Sequence, residues 1–186
     1  YWGYRFMGWG LHYIQDLTQP YHSKVLPGVE TPDLIWTAAK DAAGFPEDKQ
    51  AAIARVANRH TALEKFQLKW LQQLLRDGEN ASPLLQAYAQ ADKDASYPAF
   101  DSGYLRNVVS AQAFARADQL DALLAQSLTA AEQAPGFSAS NQLAVEPAPS
   151  AELNALLIEL IGNFGAHSRN AVRATVPAAA QVPATD

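Results

Sequence analysis

Between Pro46 and Asp77 the sequence keeps an unbroken helical period. Ile53, Val56, Leu63, Leu71 and Leu74 fall on one apolar stripe, while Lys49, Arg55, Lys65 and Arg76 lie elsewhere. A proline in its first turn and Gly78 just past its end mark one long helix. The stripe of such a helix has to be covered. No segment of the chain alternates with the period of two that a strand would need, and no internal repeat is present. The partners are therefore helices, and the expected fold class is all-α, a multi-helix bundle.

The remaining helices follow from their punctuation. One runs from about Tyr4 to Leu17 and stops before Pro20, since a residue preceding proline leaves the helical region. After the loop QPYHSKVLPGVE, a short helix near Pro32–Ala43 has Thr31 as its expected N-cap and Gly44 as its stop. Further helices are predicted at about Pro83–Ala91, Tyr104–Gln133 and Ser150–Ala174. DKDASYPAFDSGY reads as a loop and APGFSASNQLAVEPAP as a linker. The expected organisation is a single helical domain over residues 1–176 and a flexible C-terminal tail over 177–186.

Composition excludes several classes. A formal net charge of -5 provides no basic stripe for general phosphate-backbone binding, although bound metal ions would reverse the local field for a phosphate ester. With no cysteine, disulfides and thiolate metal sites are ruled out. No apolar run is long enough to cross a bilayer, and no signal-peptide pattern opens the chain. The opening YWGYRFMGWG already reads as buried helix, so an upstream segment is expected to have been removed.

Against this background two pairs of side chains stand out. Residues four apart share a helix face, which places Arg5, Gly8, His12 and Asp16 in one row. The rest of that helix is apolar nearly all round, which predicts burial and a need for partners at His12 and Asp16. Arg5 lies too far along the axis, roughly 16 Å from Asp16, to serve. The long helix repeats the anomaly with His60 and Glu64, which fall within its apolar stripe. His22 follows Pro20 on a turn that can swing back toward the end of the first helix.

A lone His-x3-Glu is usually a surface or structural pair. Here three of the chain's 4 histidines fall in two such clusters. Imidazoles and carboxylates are the zinc ligands available without cysteine, and i, i+4 spacing lets one helix grip one ion. The fourth histidine, His167, lies on a stripe with Leu157, Leu160 and Phe164 and has no acid at helical spacing. It is expected to be a satisfied core residue.

GLHYIQDLTQPYH, with His12-x3-Asp16-x5-His22 and Gln19–Pro20 in the turn, resembles the central signature of the zinc-dependent phospholipase C family and the related single-strand-specific nucleases. NRHTALE then supplies His60 and Glu64 in the right order, and Glu in the last place is closer to the phospholipase branch. The resemblance covers roughly residues 1–80 by motif and the rest only by helical character.

The resemblance implies a phospholipase C/nuclease-like helical fold with up to three zinc ions at the base of a cleft. His22, His60 and Glu64 would hold one ion. His12 and Asp16 would help to hold a second, with Asp16, the residue assigned a catalytic part, bridging to a third. The implied reaction is metal-dependent hydrolysis of a phosphodiester, with phospholipid among the implied substrates, by in-line attack of an activated water. Export, to the outside of the cell or the periplasm, is implied on the same ground.

The chain also departs from that pattern. The family's N-terminal half supplies a mature N-terminal tryptophan, a further histidine, and an Asp and a His ahead of the signature. None of the eleven residues before His12 is His, Asp or Glu, and Trp2 is not the first residue. The expectation is a truncated catalytic domain with one complete zinc site, whose other ligands come from a missing N-terminal segment. The alternatives are a single-strand-specific nuclease acting on nucleic acid, or a helical scaffold with a structural or vestigial metal site and no activity.

Overall fold

Three helices meet along the central core: α4 (Glu47–Arg76), α6 (Ala111–Ser127) and α8 (Ala151–Thr175). In this computed structural model the described residues are 2–134 and 150–176, and among them there are helices and turns but no strand. The all-α expectation holds. The predicted tail at 177–186 and most of the linker lie outside the described residues.

Spacing dictates the core. Leu153, Leu156, Leu157 and Leu160 recur at three and four residues on α8, and Ala113, Ala117, Leu120 and Leu124 do so on α6. Leu63 of α4, 0% exposed, joins Leu120, Leu124 and Leu157 in one cluster. Each fully buried leucine contributes about 1.5–3 kcal/mol relative to an exposed one. Ser150 caps α8, its hydroxyl accepting from Leu153 N at 3.1 Å.

The smaller elements surround this centre: α1 (Trp2–Leu17), α2 (Pro20–Ser23), α3 (Thr31–Ala42), α5 (Pro83–Ala89) and α7 (Ala130–Gln133). Several differ from expectation. Thr31 opens α3 rather than capping it, and the cap position is Glu30, with no side-chain bond. The loop after α1 contains the helical turn α2, begun by Pro20 at its first position. The long helix expected from Tyr104 begins as a π-helical segment, Leu105–Ser110, and breaks at Leu128 and Thr129. Thr129 can end one helix and start the next because its hydroxyl and Glu132 form a reciprocal capping box.

The largest correction concerns α1. Its apolar composition predicts burial, yet Ile14 is its one buried residue, and Trp9 and Tyr13 are 54% and 66% exposed. The helix packs against α8 and the π-helical segment on part of its surface, leaving the other aromatic side chains uncovered. Phe6 and Trp9 pack edge to face on that open side, centroids 5.4 Å apart. No helix among the described residues is long and apolar enough to cross a membrane.

Candidate metal centre

The end of α1, the turn α2 and the middle of α4 bring the five expected ligand residues into one contiguous array. Pro20 closes α1 and starts α2, so His22 turns back toward both helices. The Ser23 hydroxyl donates to Leu17 O at 2.8 Å and fixes that reversal. His22 Nε2 faces Glu64 Oε1 at 3.7 Å, while its Nδ1 faces Asp16 Oδ1 at 3.8 Å. On α4, His60 Nε2 and Glu64 Oε1 are 2.9 Å apart. On α1, His12 Nε2 and Asp16 Oδ2 are 3.3 Å apart.

His22, His60 and Glu64 each offer one ligand atom, all within 4.8 Å of one another. Two imidazole nitrogens and a carboxylate oxygen are a three-ligand zinc set that leaves a fourth position open. Tetrahedral bonds of about 2.0–2.1 Å separate ligand atoms by roughly 3.3 Å. The His22–Glu64 gap of 3.7 Å is near that value and too long for a hydrogen bond. The donor set therefore suits the ion, although the 2.9 Å His60–Glu64 contact is shorter than tetrahedral spacing and would open on binding. Burial lowers the His60 pKa, Glu64 opposes this, and His22 adds to it. The result favours the neutral imidazole that binds a metal.

Two of these side chains are more exposed than their positions in the sequence predict. Glu64 does not face the core, since its side chain is 52% exposed, and His12 is 69% exposed. Solvent reaches these groups, so burial alone does not demand a cation. The convergence of five ligand-type residues is the observation that remains.

Beside the array lies a cavity of about 650 Å³. His12, Asp16, His22 and Glu64 line it together with Leu71, Leu75, Leu84, Leu157 and Phe164; His60 is not on its wall. Along α4 the lining runs from Glu64 to Leu75, a rise of roughly 16 Å. The cavity thus joins a polar ligand cluster to an apolar trough between α4, α5 and α8.

His167 is a core residue, as its sequence context predicts. It is 1% exposed; Tyr104 Oη donates to its Nδ1 at 2.9 Å, and its Nε2 donates to Gln112 Oε1 at 2.9 Å. Burial lowers its pKa to about 4, with Lys93 adding to the effect and Asp94 opposing it.

The sequence reading missed three residues next to the array. The Tyr21 hydroxyl donates to Asp121 Oδ1 at 2.8 Å, and the Arg59 guanidinium pairs with Asp121 Oδ2. All three are buried. The available signal was Asp121 itself, a carboxylate on the stripe of Ala117 and Leu124. No protein-family model, curated protein or solved structure matches the chain.

Proposed function

We propose that this chain is the metal-binding part of a zinc-dependent phosphodiesterase of the phospholipase C type, with a phospholipase C/nuclease-like helical fold. The observation that carries the reading is the convergence of His12, Asp16, His22, His60 and Glu64 beside a cavity with an apolar wall. His22, His60 and Glu64 would hold one zinc. A zinc ion bound there supplies Lewis acidity for phosphate oxygens and a lowered pKa for a coordinated water.

The chain's own residues account for the other requirements. Asp16 lies between His12 and His22, where its carboxylate can share a second ion or hold a water proton. Leu71, Leu75 and Leu157 give the trough an apolar wall that can accept an apolar group attached to the phosphate. The leucines suit a phospholipid, while Trp70, Tyr88 and Phe164 on the same wall could stack bases, so the substrate that is cleaved decides between them.

A second and third ion need more donors than the array holds. The one remaining histidine, His167, is committed to Tyr104 and Gln112. Further ligands would come from a segment outside this sequence.

The test is zinc uptake by the chain, then hydrolysis of short-chain phosphatidylcholine against single-stranded DNA by the zinc-loaded chain and by a longer natural form. One tightly bound zinc in this chain, and cleavage of the lipid in the longer form, support the reading. Cleavage of DNA alone selects the nuclease. Zinc uptake with neither activity selects a structural site, and no uptake at saturation with unchanged melting rejects the metal centre.

A further inference from the structure

We infer that Tyr21 is a positioning residue for the His22–His60–Glu64 cluster, anchored by Asp121 and Arg59. The inference rests on the metal-centre reading above and adds residues to it that touch no ion.

The geometry closes a ring of contacts. The Tyr21 ring stacks on His60, centroids 5.2 Å apart and planes 13° from parallel. The Tyr21 hydroxyl donates to Asp121 Oδ1 at 2.8 Å. Asp121 Oδ2 takes the Arg59 guanidinium, and Arg59 precedes His60 on α4, which returns the circuit to the stacked imidazole. His22 follows Tyr21 on α2 and meets His60 edge to face at 4.8 Å. The α2 ligand and both α4 ligands are thereby referred to one carboxylate on α6.

Each member is held on its remaining sides. Arg59 Nε donates to Gln133 Oε1 at 2.9 Å, and Gln133 Nε2 donates to Leu128 O at 3.0 Å. Gly28, at φ +73°, passes so close that an added Cβ would lie 2.2 Å from Asp121 Oδ2. No side chain fits between that loop and the carboxylate.

The Tyr21 ring also packs in the central core, but stability alone does not explain the polar part of the arrangement. A buried ion pair and its hydroxyl partner can commonly be replaced by apolar residues of similar volume without loss, because desolvation offsets their attraction. What an apolar trio would lack is direction. A stacked ring fixed at its hydroxyl restrains rotation of His60 and holds its Nε2 toward Glu64. Groups that orient metal-binding imidazoles typically change metal affinity by about 10- to 100-fold when removed.

The experiment is zinc titration of the full chain and its variants, with cobalt(II) substitution to read ligand geometry in the visible spectrum. Tyr21→Phe keeps the ring and deletes the hydroxyl; Tyr21→Leu deletes the ring. Asp94→Asn, which weakens the ion pairs of Asp94 with Arg169 and Arg173 of α8, serves as a destabilised control away from the cluster. Zinc affinity is expected to fall about tenfold in Tyr21→Phe and about a hundredfold in Tyr21→Leu. The cobalt spectra of both should lose tetrahedral intensity at saturating metal, while Asp94→Asn lowers the melting temperature and leaves affinity and spectrum unchanged.

Parent-like affinity and spectra in the Tyr21 variants overturn the inference and leave the metal centre standing. A parent chain that takes up no zinc overturns both, and that result is read from the parent alone. If Tyr21→Leu does not fold, Tyr21→Phe, which retains the packed ring, decides the matter.

Discussion

His22 and His60 meet edge to face, ring centroids 4.8 Å apart, with a nitrogen of each directed at the same oxygen, Glu64 Oε1. In a protein-only network one carboxylate oxygen is a sufficient partner for one imidazole. Here His60 takes the 2.9 Å contact, and His22 is left at 3.7 Å, beyond hydrogen-bond reach. A cation at the common point would satisfy all three groups.

Replacing Glu64 by Gln should separate metal binding from folding. The side chain is half-exposed, and its removal from the metal-free chain should change stability by less than about 0.5 kcal/mol. Zinc stabilises the folded form in proportion to its affinity, so the rise in melting temperature on adding zinc should be large in the parent and lost in Glu64→Gln. Calorimetric melting with and without zinc checks this. Equal zinc-induced shifts in the two proteins would remove Glu64 from the ligand set.

The buried histidine predicts an acid limit to stability. His167 has a pKa of about 4 when folded and an ordinary value near 6.5 when unfolded. Between these values the unfolded chain binds more protons, so stability falls as pH drops through that window and is unaffected by this group above it. The whole contribution is about 3 kcal/mol. Asp94, whose pKa is lowered chiefly by the Arg169 hydrogen bond, loses its contribution only below the usual carboxylate range. Urea denaturation from pH 7 to pH 4.5 should therefore show a slope in the parent that His167→Gln reduces, with His60, whose pKa burial also lowers, supplying part of the remainder. A parallel slope in the variant would assign the acid loss to other groups.

Gly165 predicts a specific packing cost. On α8 it faces α5 so closely that an added Cβ would lie 2.3 Å from Tyr88 O. The obstructing atom is backbone, and Arg169 Nη1 also donates to it at 2.6 Å, so neither partner moves without breaking the other contact. Gly165→Ala should cost about 1–3 kcal/mol despite alanine's better helix propensity. Gly162, where a Cβ would meet Ala87 O at 3.6 Å, should accept alanine with little change. The two melting temperatures, measured side by side, give the comparison.

What could be read from sequence, and what could not, divides along physical lines. Periodicity located α4 and α8, because Leu63, Leu153 and Leu157 sit where a helical stripe demands burial. The i, i+4 pairs and the Pro20 turn were legible because those are local constraints, whereas the meeting of His22 with His60 and Glu64 is a tertiary contact that only the family resemblance implied. The exposure of α1 was not legible: its aromatic residues state a preference for burial but not which faces the rest of the chain covers. Nor was the Tyr21–Asp121–Arg59 circuit, whose members are separated by 62 and 100 positions and are joined only by tertiary packing. A charged residue on an apolar stripe, as at Asp121, is the trace such a circuit leaves in sequence.

Asp16 offers the sharpest division between holding a metal and using it. Its carboxylate lies 3.3 Å from His12 Nε2 and 3.8 Å from His22 Nδ1, on the cavity side of the array. It is not among the three ligand atoms gathered at His22, His60 and Glu64. Asp16→Asn keeps the shape and removes the charge, and Asp16 Oδ1 lies beyond hydrogen-bond reach of His22 Nδ1, so this first zinc should remain bound with affinity reduced by no more than about tenfold. A shared second ion, or a water proton held in place, needs the anionic oxygen. Phosphodiester hydrolysis by a longer natural form should therefore fall by at least about a hundredfold, the scale of a lost acid–base or charge-stabilising group. Zinc titration and initial rates on the same preparation make the comparison. Rates that persist with the amide in place would return Asp16 to a structural role beside His12, whereas loss of the first zinc would make it a ligand of that ion.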